Sequence, residues 1–195
     1  TRGPSGIFRF LRTVPVMLDI CKDMEELCPN ALLLNYTNPM AMHVLAVARA
    51  SRLAVVGLCH GVRYTRGRMI MLARLAEMDP AKARAVLADR TPHEPAGTRF
   101  MDFYRQCCLD TSVQTLCAGI NHMAAFLVFR ERGRDLYPLL HRAYHDERLR
   151  ALEPVRLELM VRLGYFLTET SGHLSEYLPW FLRHDGEDAR LALRP

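Results

Sequence analysis

Apolar residues recur at helical spacing along the first part of the chain. They are Phe8, Leu11, Val14, Met17, Leu18, Cys21, Met24 and Leu27. This spacing predicts a helix over residues 7–27, which Pro29 and Asn30 end. The apolar run that follows, residues 31–34, has the length of a buried strand.

A second helix and a second strand are predicted directly afterwards. Helical spacing returns over residues 40–51, just after Pro39, and the β-rich run RLAVVGLC ends at Cys59. Runs of this kind are buried on both faces of parallel sheets. The strand–helix–strand order predicts a βαβ unit of an open α/β sheet, which binds ligands beyond the carboxyl ends of its strands.

The remainder of the chain is predicted to be mostly helical. The predicted helices cover residues 64–77, 80–90, 98–110, 138–146 and 153–163. The segment TLCAGINHMAAFLVFR holds two β-like runs that meet at residues 119–122, and GYFLTETSGHLSEYLPWF is predicted to be a polar loop that enters an aromatic-rich helix.

Composition narrows the possible classes of protein. With 195 residues, 50% of them hydrophobic, the chain can bury a core of its own. The net charge of +5 comes from scattered arginines and no basic run is interleaved with aromatics, so no nucleic-acid partner is expected. No apolar run reaches the length of a membrane span and no signal peptide is recognisable, which predicts a cytoplasmic protein without a membrane contact.

The cysteines show no CxxC pair, and the chain is too large to depend on disulfides. Five of the six are expected to be reduced core thiols, and Cys59 is the exception. Cys59 and His60 end one predicted strand, and Asn121 and His122 follow another. A thiolate and an imidazole from two strand ends can chelate a divalent ion and leave positions open for substrate oxygens. The alternative is a core cysteine beside a capping histidine.

Five segments resemble one known family in the same order. They are GPSGIFRFLRTVP, LLLNYTNPMAM, VVGLCHGV, CAGINHMAAFL and RLGYFLTETSGHLSEYLPWF. Together they resemble glycoside hydrolase family 4, the glycosidases that use NAD and a divalent metal, and most of all its α-galactosidase-like members. The resemblance implies an α/β fold: a partial Rossmann-like domain of the lactate/malate dehydrogenase type, followed by part of an α+β substrate and catalytic domain. The implied segments are residues 1–63, a helical segment with an insertion at 64–114, and 115–195.

The resemblance also implies roles for individual residues. Cys59 and His122 match the positions that hold the metal, usually manganese, and Asn38 matches the position that contacts the sugar. Asn35 lies where the strand end meets the nicotinamide side of the cofactor. Amides suit this joint because each can donate and accept hydrogen bonds without adding charge beside the metal.

The implied reaction differs from that of most glycosidases, which use two carboxylates. NAD takes hydride from C3 of an α-linked sugar, a base removes the acidified C2 proton, the aglycone leaves C1, water adds and the ketone is reduced again. His60 matches a position associated with acid assistance, with a helix cap as the alternative. Glu169 and Tyr177 are candidates for the base, with a capping carboxylate and a core tyrosine as the alternatives.

The chain departs from the family in its length and in one spacing. No GxGxxG-like turn occurs, so we expect the chain to start inside the nucleotide-binding domain and to lack material after residue 182. Cys59 and His122 are 63 positions apart (122 − 59), which we attribute to a surface helical insertion over residues 76–106.

Three classes of function remain open at this point. The first is the glycosidase, acting on a small glycoside as a homodimer or homotetramer, as the family does. The second is a 2-hydroxy acid dehydrogenase of the lactate/malate type, which shares the fold but has no use for a metal thiolate. The third is a non-enzymatic interaction module.

Overall fold

A computed structural model of the chain describes residues 3–90, 98–120, 123–178, 180 and 181. The chain divides into two compact units, the first ending at His60 and the second beginning at Gly61. The helices of the predicted segment 64–114 pack within the second unit, against its other helices and its sheet.

The first unit has the predicted strand–helix–strand order. Its elements are α1 (Gly3–Leu27), β1 (Leu32–Asn35), α2 (Met40–Ala50) and β2 (Ala54–Gly57). The two strands are parallel, with Leu32 opposite Ala54 and Asn35 opposite Gly57. The βαβ prediction is therefore confirmed, although α1 begins four residues earlier than predicted and β1 lies one residue later.

A small core joins the two helices of this unit to its sheet. It is built around Cys21, Val47 and Leu53. His43 of α2 is also fully buried, where its Nε2 lies 2.9 Å from Thr13 Oγ1 and its ring packs beside Phe10. Burial lowers the pKa of His43, and the nearby charge of Arg9 lowers it further. A neutral imidazole thus links α2 to α1.

The second unit is larger and contains an antiparallel sheet among helices. Its elements are α3 (Gly61–Glu77), α4 (Pro80–Ala88), α5 (Arg99–Leu109), β3 (Val113–Ala118), β4 (Ala125–Glu131), β5 (Arg134–Asp135), α6 (Tyr137–His145), α7 (Glu147–Arg150), α8 (Pro154–Leu163), β6 (Phe166–Leu167) and α9 (Ser171–Tyr177). β4 pairs with β3, β5 and β6. The predicted helices and the two predicted β runs are confirmed, with ends that differ by a few residues.

Helix α3 lies at the centre of the second unit. It packs against α5 and α6, which buries Met69, Ile70, Met71 and Leu72 almost completely. The close approach to α5 occurs at Gly67, where an added Cβ would lie 2.3 Å from Cys108 Sγ.

The expectation of a surface insertion over residues 76–106 is wrong for α5. Phe100 of this helix is fully buried and Tyr104 is 8% exposed, because both lie on the face that packs against the core of the unit. The aromatic residues recur at i and i+4, as they do on a core-facing helix.

The cysteine prediction holds only in part. None of the six cysteines, all of which lie in the described part of the chain, forms a disulfide, and Cys21 and Cys107 are buried. Burial raises the pKa of Cys107 to about 12. Cys28, however, is exposed just beyond the end of α1, so it is not a core thiol. Within the part of the chain that the structure describes, no helix is long and apolar enough to cross a membrane.

Candidate functional site

The carboxyl ends of β1 and β2 bring the predicted site residues of the first unit to one edge of its sheet. Asn35 and Gly57 are paired across the two strands. The main-chain N–H of Leu58 donates to the Asn35 carbonyl over 2.9 Å, so the pairing continues one residue beyond β2. Cys59 therefore leaves the sheet beside the turn that follows β1.

The side-chain amides of Asn35 and Asn38 differ in their exposure. Asn35 is 3% exposed, and its Oδ1 accepts from Thr37 N–H over 2.9 Å while its Nδ2 donates to the Thr37 carbonyl over 3.3 Å. This amide shapes the turn after the strand. Asn38 is exposed, and it joins the buried Pro39 through a cis peptide bond. The sugar contact predicted for Asn38 and the cofactor contact predicted for Asn35 stay predictions.

Cys59 and His60 are both exposed at the end of the first unit. The exposed sulfur of Cys59 is accessible to a metal ion, whereas Cys21 of the same unit is buried. Among the described residues, no three His, Cys, Asp or Glu side chains are grouped so that they could hold a metal. His122, the predicted partner of Cys59, lies outside the described residues.

In the second unit, a tight turn joins β3 to β4. Ala118 is paired with Ala125, and Gly119 turns the chain with a φ of 128°. The Met123 N–H donates to the Ile120 carbonyl over 2.7 Å. The predicted residues Asn121 and His122 belong to this turn by their place in the chain, but they lie outside the described residues.

A second turn lies at the same end of this sheet. Leu167 of β6 is paired with Ala125, and the N–H and Oγ1 of Thr168 both donate to the Ala124 carbonyl, over 2.9 Å and 3.1 Å. Because Glu169 follows Thr168, the turn that carries Glu169 is bonded to the end of the β3–β4 turn.

A buried ion pair is linked to this second turn by hydrogen bonds. Arg156 Nε donates to Glu153 Oε2 over 2.7 Å, and its Nη1 donates to Thr65 Oγ1 over 2.9 Å. The Thr65 hydroxyl donates to the Thr168 carbonyl, and the Ser171 hydroxyl donates to Glu153 Oε2 over 3.0 Å. All five residues are at most 6% exposed. Sequence reasoning missed this network, although the i, i+3 spacing of Glu153 and Arg156 is its visible trace.

Glu169 is paired with His173, four residues further along the chain. It is 7% exposed, and its Oε1 accepts from the Thr170 N–H over 2.8 Å and lies 3.0 Å from His173 Nδ1. The His173 side chain is half exposed. Sequence reasoning also missed His173, which the i, i+4 spacing of Glu169 and His173 would have indicated. Tyr177 ends α9, and its side chain is outside the described part of the structure.

Two sequence models of one family match the chain. The model for family 4 glycosyl hydrolases matches residues 1–75, and the model for the C-terminal domain of the same family matches residues 117–192. The chain belongs to family 4 of the glycosyl hydrolases. The first match covers the whole first unit and continues into α3, and the second match lies entirely within the second unit.

Relatives within family 4 cover nearly the whole chain. An α-galactosidase of Bacillus subtilis is 38% identical over 186 residues, which are 95% of this chain and 35% of that protein. The chain therefore spans about a third of this relative's length.

Two solved structures share the fold of this family 4 chain. One, lplD from Bacillus subtilis, has a TM-score of 0.59 and 22% identity, over 92% of this chain and 39% of that one. The other, a 6-phospho-α-glucosidase from gut microorganisms in complex with NAD and Mn²⁺, has a TM-score of 0.51 and 17% identity, over 93% of this chain and 40% of that one. The partial Rossmann-like fold expected from the sequence is confirmed.

Proposed function

We propose that the protein is a glycoside hydrolase that cleaves α-linked, unphosphorylated sugars with the help of NAD and Mn²⁺. The observation that carries the proposal is the edge of the first sheet, where the exposed thiol of Cys59 leaves β2 beside the turn that presents the exposed Asn38. Open α/β sheets bind ligands at this edge. Membership of family 4 supports a glycosidase over a 2-hydroxy acid dehydrogenase.

The chemistry of the available donors fits a divalent metal. Cys59 offers an exposed sulfur at a strand end, and His122 would add an imidazole nitrogen. Two such ligands leave coordination positions open, as a metal that binds substrate oxygens requires. The family 4 structure that contains NAD and Mn²⁺ supports the choice of both groups.

The turn after β1 has a fixed backbone, which suits a turn that lines a dinucleotide-binding site. Asn35 holds this turn through two bonds to Thr37 and so fixes the backbone that leads to Asn38. Asn35 would then support the nicotinamide side of NAD through the shape of the turn. NAD, when bound, would accept hydride from C3 of the sugar, and Mn²⁺ would act as a Lewis acid toward the C2 and C3 oxygens.

The side chains of the chain itself would orient the sugar and move protons. The exposed amide of Asn38 would donate to one sugar hydroxyl and accept from another. His60, exposed directly after Cys59, would give a proton to the departing aglycone. Glu169 and Tyr177 are the candidates for taking the proton from C2.

The nature of the sugar rests on two observations. The CH dipeptide at positions 59–60 resembles that of enzymes for unphosphorylated α-linked sugars, and the α-galactosidase relative covers 95% of the chain. A 6-phosphoglycoside is the alternative, because the fold is also that of a 6-phospho-α-glucosidase.

The test is hydrolysis of a panel of p-nitrophenyl glycosides by the full-length gene product, with and without NAD and Mn²⁺. The panel includes α-galactosides, α-glucosides, α-galacturonides and their 6-phosphorylated forms. Cys59→Ser is compared with Cys28→Ser, since both residues are exposed cysteines of the first unit. We expect cleavage that needs both additives, is lost in Cys59→Ser and is kept in Cys28→Ser. Cleavage without NAD, or hydride transfer to a 2-keto acid instead, would refute the proposal.

The oligomeric state and the cellular location remain predictions. A homodimer or homotetramer of the full-length protein would be detected by light scattering, and a cytoplasmic location by cell fractionation. A glycoside is the expected small-molecule partner, which the same panel tests.

A further inference from the structure

We propose that a cavity of the second unit binds a small organic anion, in which a carboxylate or phosphate group is joined to a compact apolar body. The cavity lies among α3, α4, α6 and α7 and has a volume of about 160 Å³. Three arginines line it together with apolar side chains. The inference does not depend on the proposed function, because every residue named for the cavity belongs to the second unit and none is a predicted site residue.

The cavity has an apolar floor and a charged rim. Leu75 of α3, Ala83 of α4 and Leu149 of α7 line it and are at most 9% exposed. All three belong to the hydrophobic core of the unit. The lining arginines, which are Arg84, Arg142 and Arg148, are exposed. A ligand that enters the cavity would therefore meet core side chains at the bottom and guanidinium groups at the opening.

The rim carries an excess of positive charge. Asp146 is the only acid among the described residues that line the cavity, and its Oδ1 already accepts the Arg148 N–H over 2.9 Å and lies 3.5 Å from Arg148 Nε. Within the part of the chain that the structure describes, no group accepts a hydrogen bond from the guanidinium of Arg84 or of Arg142. Three guanidinium groups and one carboxylate leave a net charge of +2 at the cavity. Clefts lined by charge of one sign attract ions of the opposite sign.

Several other exposed arginines of this unit are balanced by acids of the protein itself. Arg105 is paired with Asp102, and Arg134 with Glu77. Arg84 and Arg142, in contrast, come from two different helices and line the same cavity, where their like charges repel each other. A bound anion would remove this repulsion. The planar fork of arginine suits a carboxylate or phosphate, since it can donate to two oxygens at once.

The volume restricts the size of the ligand. Cavities of about 150 Å³ hold one molecule the size of benzene, whereas pockets for larger ligands and cofactors measure about 300–1,000 Å³. A dinucleotide or a disaccharide is therefore too large for this cavity. A single ring or a short aliphatic chain fills the space above the apolar floor, and one anionic group reaches the arginine rim.

Helix α4 makes this cavity an addition to what family membership implies. It supplies Ala83 and Arg84, and it lies between residues 1–75 and residues 117–192, the two segments that the family models match. Neither model covers this helix. The match to family 4 therefore does not account for the cavity.

Saturation-transfer NMR on the full-length protein, with four small probes, tests the proposal. Benzoate and phenyl phosphate carry an anionic group on an apolar ring, benzamide has the ring without the charge, and acetate has the charge almost without an apolar body. We expect benzoate and phenyl phosphate to bind saturably, with dissociation constants of about 0.1–1 mM, as ligands of about ten heavy atoms allow. Benzamide and acetate should bind about tenfold more weakly or worse. The tighter of the two aromatic anions identifies the anionic group of the natural ligand.

Arginine variants locate the binding in this cavity. Arg84→Gln and Arg142→Gln each remove one charge from the rim, and each should raise the dissociation constant of benzoate about tenfold or more. The double variant should show no saturable binding. Arg105→Gln is the control, because Arg105 is an exposed arginine of the same unit that does not line the cavity. It should bind benzoate as the unaltered protein does.

Four results would overturn the inference: no probe binds saturably, benzamide binds as tightly as benzoate, acetate binds as tightly as benzoate, or the double variant binds benzoate as well as Arg105→Gln. Thermal unfolding shows whether each variant is folded, and the two single variants decide if the double variant is not. None of these results bears on the glycosidase panel. Absence of glycoside cleavage would likewise leave this inference standing.

Discussion

Replacement of Gly119 by alanine tests how the β3–β4 turn is built. Gly119 has a φ of 128°, and a Cβ added there would lie 2.7 Å from Ala124 Cα and 3.0 Å from the Met123 carbonyl oxygen. Both neighbours include backbone atoms, which cannot rotate away as the end of a side chain can. The turn would have to open, and with it the segment predicted to carry His122.

Two other glycines show how much stability alanine costs when only the backbone angle is unfavourable. Gly133 and Gly164 have φ values of 81° and 82°, and an added Cβ would meet nothing within 4 Å at either position. Alanine there costs only the left-handed backbone, about 1–2 kcal/mol. At Gly119 the φ value itself belongs to a region that costs about 1–3 kcal/mol for other residues. Overpacking adds about 1–3 kcal/mol more, so we expect a total of about 2–6 kcal/mol.

The measurement is urea unfolding of the full-length protein, with the free energy of unfolding extrapolated to water for Gly119→Ala, Gly133→Ala and Gly164→Ala. We expect Gly119→Ala to lose about 2 kcal/mol more than either control, and to bind Mn²⁺ more weakly in a calorimetric titration. A Gly119→Ala protein as stable as Gly133→Ala would show that the turn is not constrained by this close approach.

Three other substitutions test the second unit. Gly67→Ala should destabilise it by about 1–3 kcal/mol, because the new Cβ would lie 2.3 Å from Cys108 Sγ, and adding Cys108→Ala should recover part of the loss in thermal unfolding. Thr65→Val should cost about 1–3 kcal/mol in urea unfolding, since it removes a buried hydroxyl with two partners; Thr65→Ser should be nearly neutral. Hydrogen bonding to Arg74 lowers the pKa of Glu131 from 4.5 to about 2, so its stabilisation is full above pH 4.5 and disappears as the pH falls toward 2. Glu131→Gln should reduce stability by about 1–2 kcal/mol at pH 6, after allowance for partial exposure, and by almost nothing near pH 2, as urea unfolding at the two pH values would show.

The parts of the fold that the sequence predicted are those with a strong local pattern. β1, α2 and β2 follow from two short apolar runs on either side of a helical period, and the parallel pairing follows from the crossover between them. The helices of the second unit likewise have a clear 3.6-residue period. β6 was not predicted because two residues are too few to show a period, and its pairing with β4 is a long-range contact.

The sequence predicted the exposed residues that can themselves contact a ligand. It did not predict the residues whose role is to hold a turn or a helix in place. Cys59 and Asn38 are exposed at the strand ends, as a ligand-binding role needs, and the family motifs pointed to both. The inward bonds of Asn35 depend on the local turn, which its amide alone does not reveal. The burial of α5 could not be deduced either, because helical spacing shows which face is apolar but not what covers it.

The buried ion pair of Glu153 and Arg156 has a consequence for how this protein can vary. Loss of Glu153 would leave the buried Arg156 guanidinium without its carboxylate, at a cost of about 3–5 kcal/mol. Loss of Arg156 would leave Glu153 with the more distant Arg68, whose Nε lies 3.7 Å from Glu153 Oε1. Joint replacement of a buried pair by apolar residues of similar volume is often nearly neutral. Thr65 and Ser171 would each keep one partner after such a joint replacement, in the Thr168 carbonyl and the main-chain N–H at position 156. The two positions are therefore expected to change together, and since Arg68 would lose its contact with Glu153 in the exchange, position 68 is expected to change with them.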